Sequence, residues 1–149
     1  MTLQQWAENG WLRPHETSPR EIDSLLAIVA RDLEDAASGA VSADWRFGIA
    51  YNAALKLCTV LLHASGYRAE RHRQHYRTLA ALPLVLGAAR LDDAAYLDTC
   101  RIKRNTGEYD MVGAATDRDA DELLEFCRCL KRDVVAWLNE KRPDLSPDA

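Results

Sequence analysis

The sequence predicts an all-α protein, an up-and-down bundle of four to five helices. Apolar residues recur at intervals of three and four along several long stretches, and no stretch alternates apolar and polar residues as a half-buried strand does. The 149 residues, of which 48% are hydrophobic, suffice for one domain with its own core. We therefore expect a bundle over residues 18–142, preceded by an N-terminal arm (residues 1–17) and followed by a disordered tail (residues 143–149).

The arm and the first two long helices have recognisable boundaries. Thr2 is suited to cap a short helix that ends at Glu8, and the two tryptophans of the arm are expected to dock it on the bundle. Ser18 is the predicted N-cap of the first long helix, with Glu21 completing a capping box. The second long helix is predicted to begin near Ser42 or Asp44 and to end at Gly66. Tyr51 is interpreted as an ordinary flank of this helix, with a place in a shared polar site as the alternative.

The remaining helices follow from similar signals. A third helix is predicted near residues 74–89, kinked or shortened by Pro83. A fourth starts at Asp92 or Asp93, and the Asn105 to Gly107 region is expected to end or distort it. The last helix begins after Thr116, with an acidic residue, Asp119, at its third position, and ends before Pro143.

Composition limits the possible functions. The formal net charge of −4 excludes a broadly basic surface, so a nucleic-acid ligand would need a local basic patch. The four cysteines have no metal-binding spacing and are interpreted as reduced thiols. We expect a cytoplasmic protein with no cofactor and no membrane span, because neither a signal peptide nor an uncharged run of eighteen apolar residues is evident. His72 and His75 lie three residues apart without an obvious third ligand, so no metal site is predicted.

Positive charge concentrates in two short windows. The first contains Arg71, Arg73 and His75, and the second contains Arg101 and Arg104, with Lys103 between them. The loop before the third helix and the end of the fourth are expected at the same end of the bundle. The sequence therefore predicts that the two windows meet, at a separation below about 25 Å, beyond which screening removes charge coupling.

The second window belongs to an unusually polar stretch, CRIKRNTGEYDMV (residues 100–112). Leu97, Arg101 and Arg104 share one helix face by their spacing, so both arginines should project together beside the core. Asn105 and Tyr109 follow them. An amide, a phenol and several cations in so short a segment suit a phosphate site, a dimer contact or a structural ion-pair cluster.

With helices in this order, residues 19–140 resemble the HEPN superfamily (higher eukaryotes and prokaryotes nucleotide-binding domains). The family motif is an arginine, often followed by asparagine, then a short spacer and a histidine. Arg104-Asn105 matches its first half, and Tyr109 stands at the histidine position. The stretch YNAALKLCTVLLHASGYRAERHRQHY (residues 51–76) also resembles the second helix of the family and the loop that follows it.

The resemblance implies a small helical homodimer, and many members of the family are metal-independent ribonucleases. In such cleavage the ribose 2′-hydroxyl attacks the phosphate, the arginine steadies the phosphate and the histidine transfers protons. Tyrosine ionises near pH 10, so Tyr109 is better suited to donate a hydrogen bond to a phosphate than to act as a base. Glu108, Asp110, His72 and His75 are the alternative bases.

Three functions follow from these observations. The first is binding of RNA or nucleotide phosphate, or regulation of a partner such as a nucleotidyltransferase, through Arg104, Asn105 and Tyr109 at a dimer seam, aided by the other basic residues named above. The second is metal-independent RNA cleavage of the toxin–antitoxin type by the same residues. The third is a purely structural helical dimer, in which Arg101 and Arg104 pair with nearby acids.

Overall fold

The computed structural model describes the backbone of residues 1–109 and 113–147 and the side chains of residues 1–105 and 113–147. It is an all-α bundle with one very small sheet, so the predicted fold class is confirmed. The α-helices are α1 (Leu3–Glu8), α2 (Pro19–Ala36), α3 (Ala43–Ala64), α4 (Gln74–Ala80), α5 (Leu82–Leu86), α6 (Leu91–Tyr109) and α7 (Asp117–Lys141). The strands are β1 (Leu12–Pro14) and β2 (Tyr67–Ala69), which pair antiparallel.

The centre of the bundle is α3, which packs against α2, α6 and α7. Its small residues allow this close approach, because Ala50, Ala53 and Ala54 are fully buried together with Leu57 and Val60. By length and apolar composition α3 also meets the requirement for a membrane span, but 67% of that apolar window is buried inside the fold. A helix surrounded by other helices needs the same apolar character.

The two strands correct the expectation that the chain contains no strand. Leu12 pairs with Ala69 and Pro14 with Tyr67, so the arm is hydrogen-bonded to the segment that follows α3. Period-two alternation cannot be recognised over three residues, which is why these strands leave no signal in the sequence. The arm also packs through Trp6, which is buried against a small second core, as the docking prediction requires.

Pro83 has the effect that the sequence predicts. The predicted third helix is divided into α4 and α5, with Pro83 in the first turn of α5. There the missing N–H group of proline costs no intrahelical hydrogen bond. The short α4 that results carries the first basic window at its N-terminal end.

Four of the predicted caps hold, whereas α6 begins at Leu91 and places Asp92 and Asp93 inside its first turn. Thr2, Ser18, Ser42 and Thr116 each accept a hydrogen bond from the backbone N–H three residues later. Glu21 does not complete a capping box with Ser18. Its carboxylate instead contacts side chains from the arm and from the end of α3.

Two predictions at the C-terminal ends of segments are wrong. Helix α6 continues through Asn105 and Gly107 to Tyr109 and neither ends nor breaks at Arg104. The segment after α7 is not a disordered tail over its whole length, because Pro143–Leu145 forms a 3-10 turn and Leu145 is 2% exposed. Burial of this single leucine in a polar segment helps to hold the turn on the core.

A buried arginine joins three helices. The Nε of Arg46 on α3 donates a 2.8 Å hydrogen bond to the carbonyl oxygen of Ala36, at the end of α2. The guanidinium also pairs with Asp117 and Asp121 of α7. The last carbonyls of a helix lack intrahelical partners, so Arg46 satisfies a group that burial would otherwise leave unpaired.

We therefore predict that Arg46→Met lowers the free energy of unfolding by about 2 kcal/mol, the cost of an unsatisfied buried carbonyl and two lost ion pairs. Denaturant unfolding followed by circular dichroism measures this change. Arg20→Met, at an exposed position of α2, is the matched control and should change stability by less than about 0.5 kcal/mol. Equal losses in the two variants would contradict a structural role for Arg46.

Candidate functional site

The two basic windows meet at α4 and α6. Arg71, Arg73 and His75 from the first window line one cleft of about 370 Å³ with Arg101 from the second. Gln74 and Tyr76 complete its lining, and we call this set of six residues the basic cleft. The prediction that the windows meet is therefore confirmed, since Arg104 lies less than one helical turn beyond Arg101.

Tyr76 organises the cations of the basic cleft. The guanidinium of Arg73 lies 4.0 Å from the centre of the Tyr76 ring, and that of Arg101 lies 5.7 Å from it. Both distances fall within the range of cation–π attraction. The Nε of Arg101 also donates a 2.8 Å hydrogen bond to Asp98 on the preceding turn, which fixes the direction of its side chain.

The backbone at Arg73 is strained. Its φ angle of 56° is the only positive φ at a residue other than glycine among the described residues. A left-handed conformation disfavours an L-residue by roughly 1–2 kcal/mol. This conformation lies directly before α4 and carries the Arg73 guanidinium onto Tyr76. Strain at a residue that lines a cleft is typical of a functional segment.

His75 lies between the basic cleft and the core. It is exposed on one side, and on the other its Nδ1 atom is 3.5 Å from the hydroxyl of Tyr51, at the outer limit of a hydrogen bond. Desolvation of the ring, followed by the charges of Arg104, Lys56 and Arg101, lowers the pKa of His75 below its ordinary value. His75 is therefore largely neutral near pH 7, and its ring presents both a proton donor and a proton acceptor.

Tyr51 belongs to this site and is not an ordinary flank of α3. It is 1% exposed, and burial raises the pKa of its hydroxyl above the ordinary value. The Arg104 guanidinium lies 5.3 Å from the centre of the Tyr51 ring. Tyr51 therefore joins His75 and Arg104, which belong to different basic windows. No local signal in the sequence distinguishes this phenol, because Asn52 and Lys56 also interrupt the apolar pattern of α3.

Arg104 also borders a second cleft, of about 470 Å³, between α3 and α6. Asn52 and Asp32 line it together with Lys103 and the exposed Trp45. Asp32 is a buried carboxylate that accepts a 2.7 Å hydrogen bond from the side-chain amide of Asn52. Sequence reasoning overlooked Asp32, although an acid three residues after Val29 on the apolar face of α2 is unusual.

The other predicted residues are placed differently. Lys103 does not reach the basic cleft, because its Nζ atom is 3.2 Å from Asp119 at the start of α7. Asn105 is half-buried on α6, one residue after Arg104. Tyr109 is the last residue of α6, and its side chain lies outside the described residues, as do the side chain of Glu108 and the whole of Asp110. His72 is exposed in the turn before α4 and does not line the basic cleft.

Chemically, the arrangement suits an anion. Several guanidinium groups offer planar sets of N–H donors, the geometry that phosphate oxygens accept. A neutral imidazole beside them can donate to, or accept a proton from, a bound group. Comparisons of the chain with protein-family models, with curated proteins and with solved structures found no match. A function for this chain therefore rests on the geometry of these residues.

Proposed function

We propose that this protein binds a phosphate-bearing ligand, RNA or nucleotide, in the basic cleft, with Arg104 behind it. One observation supports this proposal above the others. In a chain of net charge −4, two windows of positive charge separated by more than one helix converge on a single cleft. Charge repulsion disfavours such convergence unless a ligand or a function requires it.

The ion pairs of the second window leave this cleft positively charged. Lys103 is neutralised by Asp119, and Arg101 is paired with Asp98. The cleft itself is lined by three arginines and by none of the described acidic residues. A purely structural cluster would match each arginine with an acid, as Asp98 matches Arg101. No described acid forms an ion pair with Arg71 or Arg73, and this imbalance favours binding over the structural alternative.

The proposal is tested by fluorescence anisotropy with a labelled single-stranded RNA, in EDTA and at several salt concentrations. Contact with three or four phosphates gives a slope of log K against log salt of about −2 to −3. Binding that is absent at low salt, or that does not depend on salt, would contradict it. Competition with ATP and with inorganic phosphate distinguishes a nucleotide site from an RNA site.

The site is proposed to lie near a seam between two copies of the chain, as the HEPN resemblance implies. The supporting observation is the exposure of two large apolar side chains: Trp45, which lines the second cleft, is 65% exposed, and Ile102 on α6 is 54% exposed. Large apolar side chains at this exposure are enriched at interfaces. Light scattering of the wild type and of Trp45→Glu checks this, since a dimer built on this surface should dissociate in the variant.

RNA cleavage is the second candidate, favoured by the position of His75. The family motif lacks its histidine here, yet a histidine from another segment lies between Tyr51 and the arginines. With its lowered pKa it is suited to accept a proton from a ribose hydroxyl near neutral pH. In the RNA assay this candidate requires that cleavage in EDTA disappears in His75→Ala while binding persists.

His75 also gives a direct measure of anion binding. Because neighbouring cations help to lower its pKa, a bound phosphate should offset them and raise the pKa of His75. We expect NMR titration of the His75 ring to give a pKa below about 6.5 in the free protein and a higher one with saturating phosphate. The control is a titration at the same ionic strength with chloride in place of phosphate. An equal rise of the His75 pKa in chloride would indicate a general salt effect.

The same lowered pKa has a consequence for stability. In the unfolded chain His75 takes up its proton at a higher pH than in the fold. Protonation below about pH 6.5 therefore stabilises the unfolded state relative to the fold, and the resulting loss of stability is complete once the pH falls below the folded pKa. His75→Gln should accordingly weaken the dependence of the unfolding free energy on pH between the folded pKa and about pH 6.5.

A further inference from the structure

Three side chains that the basic cleft does not use converge at the junction of the arm with α2 and α3. The Nε2 atom of His15 and the Nδ1 atom of His63 each lie 2.8 Å from the same carboxylate oxygen, Oε1 of Glu21. The two imidazole rings are 4.1 Å apart, centre to centre. All three ligand-type atoms lie within 4.8 Å of one another.

The fold fixes each of these residues independently. His15 follows β1, and its backbone N–H donates a 2.9 Å hydrogen bond to the carbonyl oxygen of Gly66. Glu21 lies in the first turn of α2, which the cap at Ser18 holds in place. His63 lies in the last turn of α3. Two helices and the segment between β1 and α2, which is hydrogen-bonded to Gly66, therefore direct a nitrogen or an oxygen towards one point.

The contacts have hydrogen-bond distances, but they are concentrated on one atom. The hydroxyl of Thr17 also donates to Oε1 of Glu21, at 2.7 Å, so three donors approach a single oxygen. A carboxylate has two oxygens with four lone-pair positions, and donors normally spread over both. Two imidazole nitrogens and one carboxylate oxygen around a common point also form a set of ligands that a transition-metal ion accepts.

We propose that His15, Glu21 and His63 bind a divalent transition-metal ion, with Zn²⁺ as the best fit. Imidazole nitrogen and carboxylate oxygen suit zinc, at about 2.0–2.2 Å each, whereas calcium and magnesium require oxygen ligands. The side chains are 21%, 35% and 17% exposed, in chain order, which leaves room for water to complete the coordination. The Thr17 hydroxyl would hold the carboxylate from outside, as outer-shell groups commonly do.

The bound ion would fasten the arm to the bundle. His15 belongs to the arm, whereas Glu21 and His63 belong to the first two long helices. An ion that binds only the folded arrangement stabilises it by mass action. Sequence reasoning overlooked this site because its histidines are 48 residues apart, whereas only His72 and His75 are close enough in sequence to suggest a pair of ligands.

The test uses the full-length protein, freed of metal with a chelator and then titrated with Zn²⁺ and, separately, with Co²⁺. We expect one equivalent of Zn²⁺ by calorimetry and a higher Tm in its presence. The Co²⁺ complex should show ligand-field bands without a thiolate charge-transfer band, which excludes the exposed Cys129 as a ligand. No stoichiometric binding, or a thiolate band, would overturn the proposal.

Two substitutions at His15 make the test specific. His15→Ala removes a ligand, and His15→Gln keeps a hydrogen-bonding side chain on Glu21 while binding zinc poorly. Both should weaken Zn²⁺ binding by more than the roughly 10- to 100-fold that loss of an outer-shell partner costs. His72→Ala is the matched control and should bind as the wild type does. If His15→Gln, shown to be folded by circular dichroism, binds Zn²⁺ as the wild type does, the cluster is a hydrogen-bond network only.

Discussion

Reversing the charge of both Arg101 and Arg104 to glutamate is expected to weaken binding of single-stranded RNA by roughly 100-fold at 0.1 M salt. Each reversal replaces an attraction to phosphate with a repulsion, worth about tenfold at screened surface distances. Arg101 lines the basic cleft, and Arg104, three residues further along α6, lies against the Tyr51 ring. Anisotropy with the same labelled RNA measures the effect, and the salt dependence should become shallower because the variant neutralises fewer phosphates.

A charge-matched control distinguishes the loss of a local binding site from a change in the overall electrostatic field of the protein. Arg128 and Arg132 are exposed on α7 and lie apart from the basic cleft. Reversing both of them changes the net charge of the chain equally. If this control loses as much affinity as the pair in α6, the cleft is not the binding site. Circular dichroism and Tm must first establish that both double variants are folded, because reversal of Arg101 places an acid beside Asp98.

The second large effect concerns the packing beneath the site. Leu97 is fully buried on α6, one turn before Arg101 on the same face. Truncation to alanine removes its packing and leaves a cavity, so we expect Leu97→Ala to lower the free energy of unfolding by about 3–4 kcal/mol. That is a large share of the roughly 5–15 kcal/mol that stabilises a domain of this kind.

Leu91 provides the control on the same helix. It is 61% exposed, and alanine and leucine have similar helix propensities. Leu91→Ala should therefore change the unfolding free energy by less than about 0.5 kcal/mol. Denaturant unfolding of the two variants, analysed at constant m-value, gives the comparison. Similar losses in both would mean that α6 is not held to the bundle through Leu97.

The sequence predicts most of the helical framework for a physical reason. Helix starts depend on local chemistry, and Ser42 and Thr116 act as caps whatever the rest of the chain does. The end of α6 was mispredicted because Asn105 and Gly107 are weak helix breakers, each disfavouring the helix by at most about 1 kcal/mol. The packing of α6 against α3 and α4 outweighs that cost.

The candidate site was predicted less completely because its key contacts are long-range. Clustering along the chain identified Arg71 and Arg73 in one window and Arg101 in another, and the up-and-down topology predicted that the two windows meet. The role of Tyr51 depends on a partner 24 residues away, and nothing local distinguishes a buried phenol at a site from one in a core. Glu21 shows the same limit, because its predicted local role gave way to two histidines that the fold brings to it.

The pairing of β1 with β2 links the beginning of the chain to the shape of the basic cleft. The carbonyl oxygen of Trp11 accepts a backbone hydrogen bond from Glu70, and the Trp11 ring lies 3.8 Å from the Arg77 guanidinium. The turn that carries Arg71 and Arg73 is thus held on both sides by the first dozen residues. A chain shortened by those residues would keep every proposed phosphate ligand but would lose the contacts that fix the distances between them. The N-terminal arm is therefore part of the structural support of the site.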